Sequence, residues 1–105
     1  LGIQIERTKI CGGGAKSPLW RQMVADILNV KVDIPKSEEG PSMGGAMLAA
    51  VACGEYASVE EAAEKIVEIV DTVEPIPENA ARYEKQYQKF RRIYPTVKEL
   101  FPVIE

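Results

Sequence analysis

Three consecutive glycines, residues 12–14, lead directly into a segment with helical periodicity, and this junction constrains the fold more than any other feature. Residues 3–10 mix β-branched and polar side chains, which predicts a strand over roughly the second half of that stretch. Ser17 and Pro18 then form the pattern of an N-cap followed by proline at the first helical position. Glycine permits positive φ and close approach to the main chain, and a helix start directs N–H groups to the same place. The junction therefore has the pattern of a phosphate or nucleotide cradle.

The segment after the glycines predicts a β-α-β unit. Apolar residues recur along residues 19–28 at helical spacing, and Asn29 can end that helix. Residues 30–34 alternate in the manner of a short strand and stop at Pro35. A strand, a helix and a second strand joined by tight connections imply a parallel pair with a right-handed crossover. Two short strands make a poor sheet, so we expect them to complete a larger one.

The remainder predicts three more helices, for a fold class of α/β with short parallel strands and about four helices. A small-residue helix opens at Pro41 and stops at Gly54. Ser58 begins a capping-box pattern, and a long final helix starts near Pro77 and runs to about Tyr94, or beyond Pro95 after a kink. The stripe predicted for the third helix is Val59, Ala62, Ala63, Ile66, Val67 and Val70.

Composition excludes several classes of function. The 105 residues carry a net charge of −3 with both signs interspersed, so neither a nucleic-acid stripe nor a basic membrane face is predicted. The chain has no histidine, which removes the usual general base and histidine-dependent triads. No signal peptide or membrane-spanning run is visible. Cys11 and Cys53 lack metal or redox spacing, so we expect buried thiols in a reducing, cytoplasmic compartment.

The glycine segment leaves two interpretations open. It is not a Walker loop, because Lys16 and Ser17 come too early, and it lacks the Rossmann spacing. Main-chain capture of a phosphate, or stacking of a base against the glycine platform, remains possible, and so does a purely structural strand-to-helix turn. Lys16 is a phosphate contact under the first interpretation and a solvated charge under the second.

Other notable side chains favour structural roles. Trp20 and the aromatic series Tyr83, Tyr87, Phe90 and Tyr94 are expected in packed helix faces. Asp26 lies among apolar neighbours and is expected to make a structural hydrogen bond. The acidic pairs Glu38–Glu39 and Glu60–Glu61 are expected at surface and cap positions.

The stretch from Gly12 to Asp26, Gly-Gly-Gly-Ala-Lys-Ser-Pro-Leu-Trp-Arg-Gln-Met-Val-Ala-Asp, closely resembles the second nucleotide-binding segment of the FGGY carbohydrate kinases, in particular the xylulose kinases among them. The resemblance continues in order through residues 40–50, 54–62 and 74–79 and into the aromatic tail. It implies a ribonuclease-H-like domain of the actin, Hsp70 and sugar kinase type. Residues 1–105 would be a C-terminal fragment of the second, nucleotide-binding domain, with the upstream sugar-binding domain absent.

The resemblance also implies site residues and cofactors. Gly12 and Gly13 would lie against the adenosine and α-phosphate of ATP with Gly14 close by, and Ser17 would lie near the adenine. Residues 44–46 fall where relatives place a small-residue helix start near the nucleotide. The catalytic aspartate and the Mg²⁺ ligands belong upstream, so no catalytic or metal-binding residue is expected in this chain.

The implied activity is ATP-dependent phosphorylation of D-xylulose to D-xylulose 5-phosphate by the full-length enzyme. This chain would supply the adenosine-side wall and be inactive alone, and its partners would be a nucleotide and the sugar held upstream. Neither nucleic acid nor a membrane is expected as a partner, whereas a homo-oligomer is possible. Two alternatives stay open: a kinase of another sugar or polyol, and a non-catalytic α/β module for nucleotide binding or interaction.

Overall fold

The computed structural model describes residues 2–37 and 39–103. In chain order the elements are β1 (Arg7–Lys9), a 3₁₀ turn (Gly13–Lys16), α1 (Pro18–Leu28), β2 (Lys31–Pro35), α2 (Gly40–Ala52), α3 (Val59–Ile66), β3 (Ile69–Val73), α4 (Pro77–Phe90), α5 (Ile93–Val97) and a C-terminal 3₁₀ helix (Lys98–Val103). The predicted α/β class is therefore confirmed. Glu39 is exposed as predicted, and Glu38 lies outside the described residues.

The sheet has three strands in the order β1-β2-β3. β1 and β2 are parallel, with Thr8 opposite Val32, as the β-α-β pattern predicted. β2 and β3 are antiparallel, with Asp33 opposite Thr72 and a register shift at Pro35. The sheet is consequently mixed, and its antiparallel edge strand is the element that the sequence analysis missed.

The missed strand comes from a helix that ends earlier than predicted. α3 begins after Ser58 as expected, but it stops at Ile66, and Val67 already has an extended backbone. Val70, placed in the helical stripe by the sequence analysis, lies in β3. Residues 66–73 are rich in β-branched side chains, which suit a strand as well as a helix stripe. The open edge of β2 favours the strand, because the backbone N–H and C=O groups on that edge need hydrogen-bond partners.

The small core lies between α1 and the sheet. Ala25, Val32 and Ile34 are buried there, and Ile10, Val24 and Val73 pack around them. This arrangement follows from the apolar face of α1 and from the alternation along β2, which directs Val32 and Ile34 to the same side of the sheet.

Several side chains predicted to be buried are exposed. Both cysteines are free and exposed, and Trp20 is 50% exposed. The aromatic series on the last helices is also largely exposed, because α4 and α5 contain no buried residue. Of the two predicted ends of the final helix, continuation beyond Pro95 after a break is the closer one: α4 stops at Phe90, a turn follows at residues 91–92, and α5 continues through Pro95 to Val97. Across residues 2–37 and 39–103, none of the helices has both the length and the apolar character needed to span a bilayer.

Candidate functional site

The glycine segment forms a tight turn at the end of the first strand. Gly12 has φ of 86° and ψ of −179°, a combination essentially restricted to glycine. The amide of Ala15 donates to the carbonyl of Gly12 at 3.0 Å, and the amide of Ser17 donates to the carbonyl of Gly14 at 3.1 Å. Ala15, within the turn, is buried and anchors the turn to the protein. The backbone at Gly12 therefore has the positive φ that the sequence pattern suggested.

The three glycines differ in what surrounds them. A Cβ atom built on Gly12 or Gly13 would meet nothing within 4 Å. A Cβ atom on Gly14 would lie 2.9 Å from the Nε1 atom of Trp20. Gly14 is thus explained by packing against the indole, whereas Gly12 and Gly13 present main chain with open space above it.

The first turn of α1 is joined closely to the glycine turn. Ser17 is its N-cap, and the Ser17 hydroxyl oxygen accepts a hydrogen bond from the amide of Trp20 at 3.3 Å. The Nε atom of Arg21 donates to the carbonyl oxygen of Ala15 inside the turn. The predicted capping role of Ser17 is confirmed, and its side chain is exposed beside the turn. Turn and helix start form one continuous structure.

The N-terminus of α2 lies beside Cys11, the residue that precedes the glycine turn. The parallel strands β1 and β2 end at the same edge of the sheet, and the amide of Ile10 donates to the carbonyl of Asp33 at 3.1 Å. A Cβ atom on Gly40 would lie 3.1 Å from the Sγ atom of Cys11. Gly44 and Gly45, one turn into α2, are exposed with open space around them.

A cavity of about 160 Å³ lies at this same edge of the sheet. It is lined by Ile10, Cys11, Ala15, Arg21, Ile34, Pro35, Lys36, Ser37 and Val70. The edge therefore combines exposed glycine main chain, a helix start and two basic side chains that already have partners, since Lys36 pairs with Glu68 at 2.8 Å and Arg21 donates to the carbonyl of Ala15. This combination can hold a polar or anionic ligand through backbone contacts without supplying a group that reacts.

Two buried carboxylates that do not line this cavity hold the unit together. Asp26 accepts hydrogen bonds from Gln22, from the amide of Ile76 and from Asn79, at 2.8, 2.7 and 2.8 Å. Burial raises the pKa of Asp26, but these three donors outweigh that effect and leave the pKa lowered. The predicted structural hydrogen bond of Asp26 is confirmed.

Asp33 is the second buried carboxylate, and the sequence analysis did not single it out. It accepts two hydrogen bonds from the guanidinium of Arg7, at 2.8 and 2.7 Å, and one from the Thr72 hydroxyl at 2.7 Å. The Arg7 and Thr72 hydrogen bonds lower the pKa of Asp33 against the opposing effect of burial. The available signal was an aspartate between Val32 and Ile34 in an alternating strand.

Within the described part of the chain, no three Cys, Asp or Glu side chains gather as a metal site.

Comparison with known proteins relates this geometry to a family. The sequence model of the FGGY family of carbohydrate kinases, C-terminal domain, matches residues 1–53. The chain is 44% identical over 99 residues to a xylulose kinase of Staphylococcus epidermidis, covering 94% of this chain and 20% of that protein. It is 40% identical over 95 residues to a ribulokinase of Halalkalibacterium halodurans, covering 85% of this chain and 17% of that protein. The chain thus spans about a fifth of the length of these curated relatives.

A solved structure shows the same fold. A ligand-bound xylulose kinase from Lactobacillus acidophilus superposes with a TM-score of 0.81 at 23% identity, covering 94% of this chain and 20% of that one. The chain therefore shares its fold with part of that sugar kinase. Because the family match covers half of the sequence and includes the whole glycine turn, this chain belongs to the FGGY family of carbohydrate kinases.

Proposed function

We propose that this chain is a C-terminal fragment, residues 1–105, of the nucleotide-binding domain of a carbohydrate kinase and forms the adenosine-side wall of its ATP site. Gly12 and Gly13 lie against the adenosine and α-phosphate, Gly14 closes the turn, and Ser17 lies near the adenine. The observation that carries the proposal is the open space above Gly12 and Gly13, at the edge where β1 and β2 end. Ligands of open α/β sheets bind at that kind of edge.

The reaction of the whole protein is proposed to be transfer of the γ-phosphoryl group of ATP to the 5-hydroxyl of D-xylulose. The 44% identity to a xylulose kinase supports this substrate. The aspartate that accepts the sugar proton, the Mg²⁺ ligands and the sugar-binding residues come from outside this chain. Mg²⁺, when bound, neutralises charge on the transferring phosphoryl group. The contribution of the present residues is to hold and orient the nucleotide.

A related substrate is the second candidate, because a ribulokinase is 40% identical over 95 residues. The residues described above face the nucleotide and not the sugar, so they do not distinguish two pentuloses. A comparison of kcat/KM for xylulose and ribulose in the complete protein decides between them. Xylulose is expected to give the higher value.

We also place the protein in the cytoplasm, since both cysteines are unpaired and free thiols persist in a reducing compartment.

Gly13→Leu tests the cradle. The backbone φ of Gly13 is not positive and a Cβ atom there meets nothing, so the fold accepts a side chain at this position. The leucine would instead occupy the space proposed for the nucleotide. In the complete protein we expect the KM for ATP and the Kd for ADP to rise about tenfold or more, with little change in melting temperature.

Ala81→Leu is the matched control, because Ala81 is exposed on α4, far along the chain from the glycine turn. It adds one carbon less of apolar bulk than Gly13→Leu and is expected to leave the KM for ATP unchanged. Equal nucleotide affinity in wild-type and Gly13→Leu proteins would assign the glycines to a structural turn and reject the cradle.

A further inference from the structure

Helix α4 begins without a capping side chain of its own. Its N-cap residue is Ile76, which makes no side-chain hydrogen bond to the helix, and Pro77 follows it. The first N–H groups of a helix need acceptors from elsewhere. Asp26, on α1, supplies one: its Oδ1 atom accepts from the amide of Ile76 at 2.7 Å, and its Oδ2 atom accepts from Asn79 at 2.8 Å. A carboxylate here also interacts favourably with the positive end of the helix dipole.

A second side chain of α1 reinforces this contact. The Nε2 atom of Gln22 donates to Asp26 Oδ1 at 2.8 Å and to the carbonyl oxygen of Glu74 at 3.0 Å. Asp26 is 2% exposed, so water does not replace these hydrogen bonds. One face of α1 therefore holds both the segment that enters α4 and the first turn of α4.

The opposite end of α1 carries the glycine turn. Ser17 caps α1, Arg21 donates to the carbonyl of Ala15, and Trp20 packs on Gly14. Asp26 is nine residues beyond Ser17, a helix length of about 14 Å. Asp26 therefore does not reach a ligand on the turn, and any influence on that ligand passes through the position of α1.

We propose that Asp26 is a positioning residue for the glycine turn: by capping α4 from α1, it fixes the direction of α1 and with it residues 12–17. What the turn binds rests on the function proposed above, whereas the mechanical link between Asp26 and the turn does not. Loss of the cap frees α1 at one end and allows the turn to move at the other.

The test compares Asp26→Ala with Asp26→Asn in the complete protein. Alanine removes all three acceptor interactions. Asparagine retains an oxygen for Ile76 and Gln22, and its amide can donate to Asn79 once the Asn79 side-chain amide turns over. Asn79→Ala, which removes a single hydrogen bond from the α4 side, is the second variant in case Asp26→Ala does not fold.

We expect Asp26→Ala to raise the KM for ATP about fivefold, equivalent to about 1 kcal/mol, and to change the KM for the sugar less than about twofold. Asp26→Asn should restore the KM for ATP to within about twofold of wild type, and Asn79→Ala should raise it by a smaller factor than Asp26→Ala. Amide hydrogen exchange should accelerate in the peptide spanning residues 11–20 in both alanine variants and return to the wild-type rate in Asp26→Asn.

A lower melting temperature with unchanged KM for ATP and unchanged exchange in residues 11–20 would overturn the proposal and leave Asp26 a purely structural residue. If the wild-type protein phosphorylates no sugar, the proposed function fails. The exchange comparison still decides whether Asp26 positions the turn.

Discussion

Two buried aspartates show how single residues hold this small domain together. Asp33 is 3% exposed and joins all three strands, because its hydrogen-bond donors Arg7 and Thr72 lie on the strands either side of its own. The Arg7 side chain is 60% exposed, so only one partner of the ion pair is fully desolvated. The contribution of this contact to stability therefore comes mainly from hydrogen bonds that satisfy a buried carboxylate.

Asp33→Asn should lower the free energy of unfolding by about 2 kcal/mol, because the amide cannot accept the paired hydrogen bonds from Arg7. Glu74→Gln is the control: its ion pair with Lys31 spans 2.8 Å but is 50% and 64% exposed, so less than about 1 kcal/mol is expected. Urea unfolding of the two variants measures both values. Equal losses would show that Asp33 contributes no more than a surface charge.

The same two aspartates predict how stability depends on pH. Their pKa values in the folded chain lie below 3.8, the usual value for an aspartate side chain. Their stabilising effect is therefore complete above that value and is lost as the pH falls through the lower, folded pKa. We expect little change in unfolding free energy from about pH 7 to 5 through these groups, then a decline below about pH 4 that is shallower in Asp33→Asn. An identical decline in wild type and variant would contradict this assignment.

At the scale of elements, helix ends are set by short local signals. α1 ends at Asn29, whose φ of 52° and ψ of 45° place it in the left-handed region. Asparagine tolerates this conformation better than most residues, and glycine tolerates it best. The end of α1 also determines where β2 can begin beside β1.

Asn29→Gly should raise the free energy of unfolding by about 0.5 kcal/mol or more, and Asn29→Ala should lower it by about 1 kcal/mol, because alanine is strained at positive φ. Thermal or urea unfolding of the pair gives the difference directly. If alanine is tolerated as well as glycine, the left-handed conformation does not limit the stability of this helix end.

Features that depend only on residues close by in the sequence were predictable from it. The Ser17 and Ser58 caps, the stop at Asn29 and the positive φ at Gly12 follow from local chemistry. The Asp33 and Asp26 contacts were not predictable in detail, since they join residues 26 to 53 positions apart. β3 was missed for the same reason: its sequence suits a helix stripe or a strand, and the distant edge of β2 selects the strand. The nucleotide contacts of Gly12, Gly13, Gly14 and Ser17 stay a prediction.

At the scale of the whole molecule, the chain is extended and its core is small. Its radius of gyration is 18.9 Å, whereas about 13 Å is typical of a compact domain of this size. Large apolar side chains remain exposed along the last helices, with Phe90 at 68%, Ile93 at 55% and Tyr94 at 61%. The aromatic stripe predicted to be packed is thus uncovered in this chain by itself. Exposed apolar surface of this extent promotes association.

The 105-residue chain is therefore expected to self-associate when it is produced alone. Its weight-average sedimentation coefficient should rise between about 5 and 200 μM. Replacing both Phe90 and Tyr94 with serine should suppress the rise, because it removes aromatic area from the stripe. Lys85→Ser is the control, since Lys85 is an exposed polar residue on the same helix and its loss uncovers no aromatic surface. A wild-type chain that stays monomeric throughout would mean that this stripe is too weakly apolar to drive assembly. If the Phe90 and Tyr94 double variant associates as strongly as the Lys85→Ser control, the association lies elsewhere. Surfaces around Leu19 or Leu48, which are 71% and 61% exposed, would then be candidates.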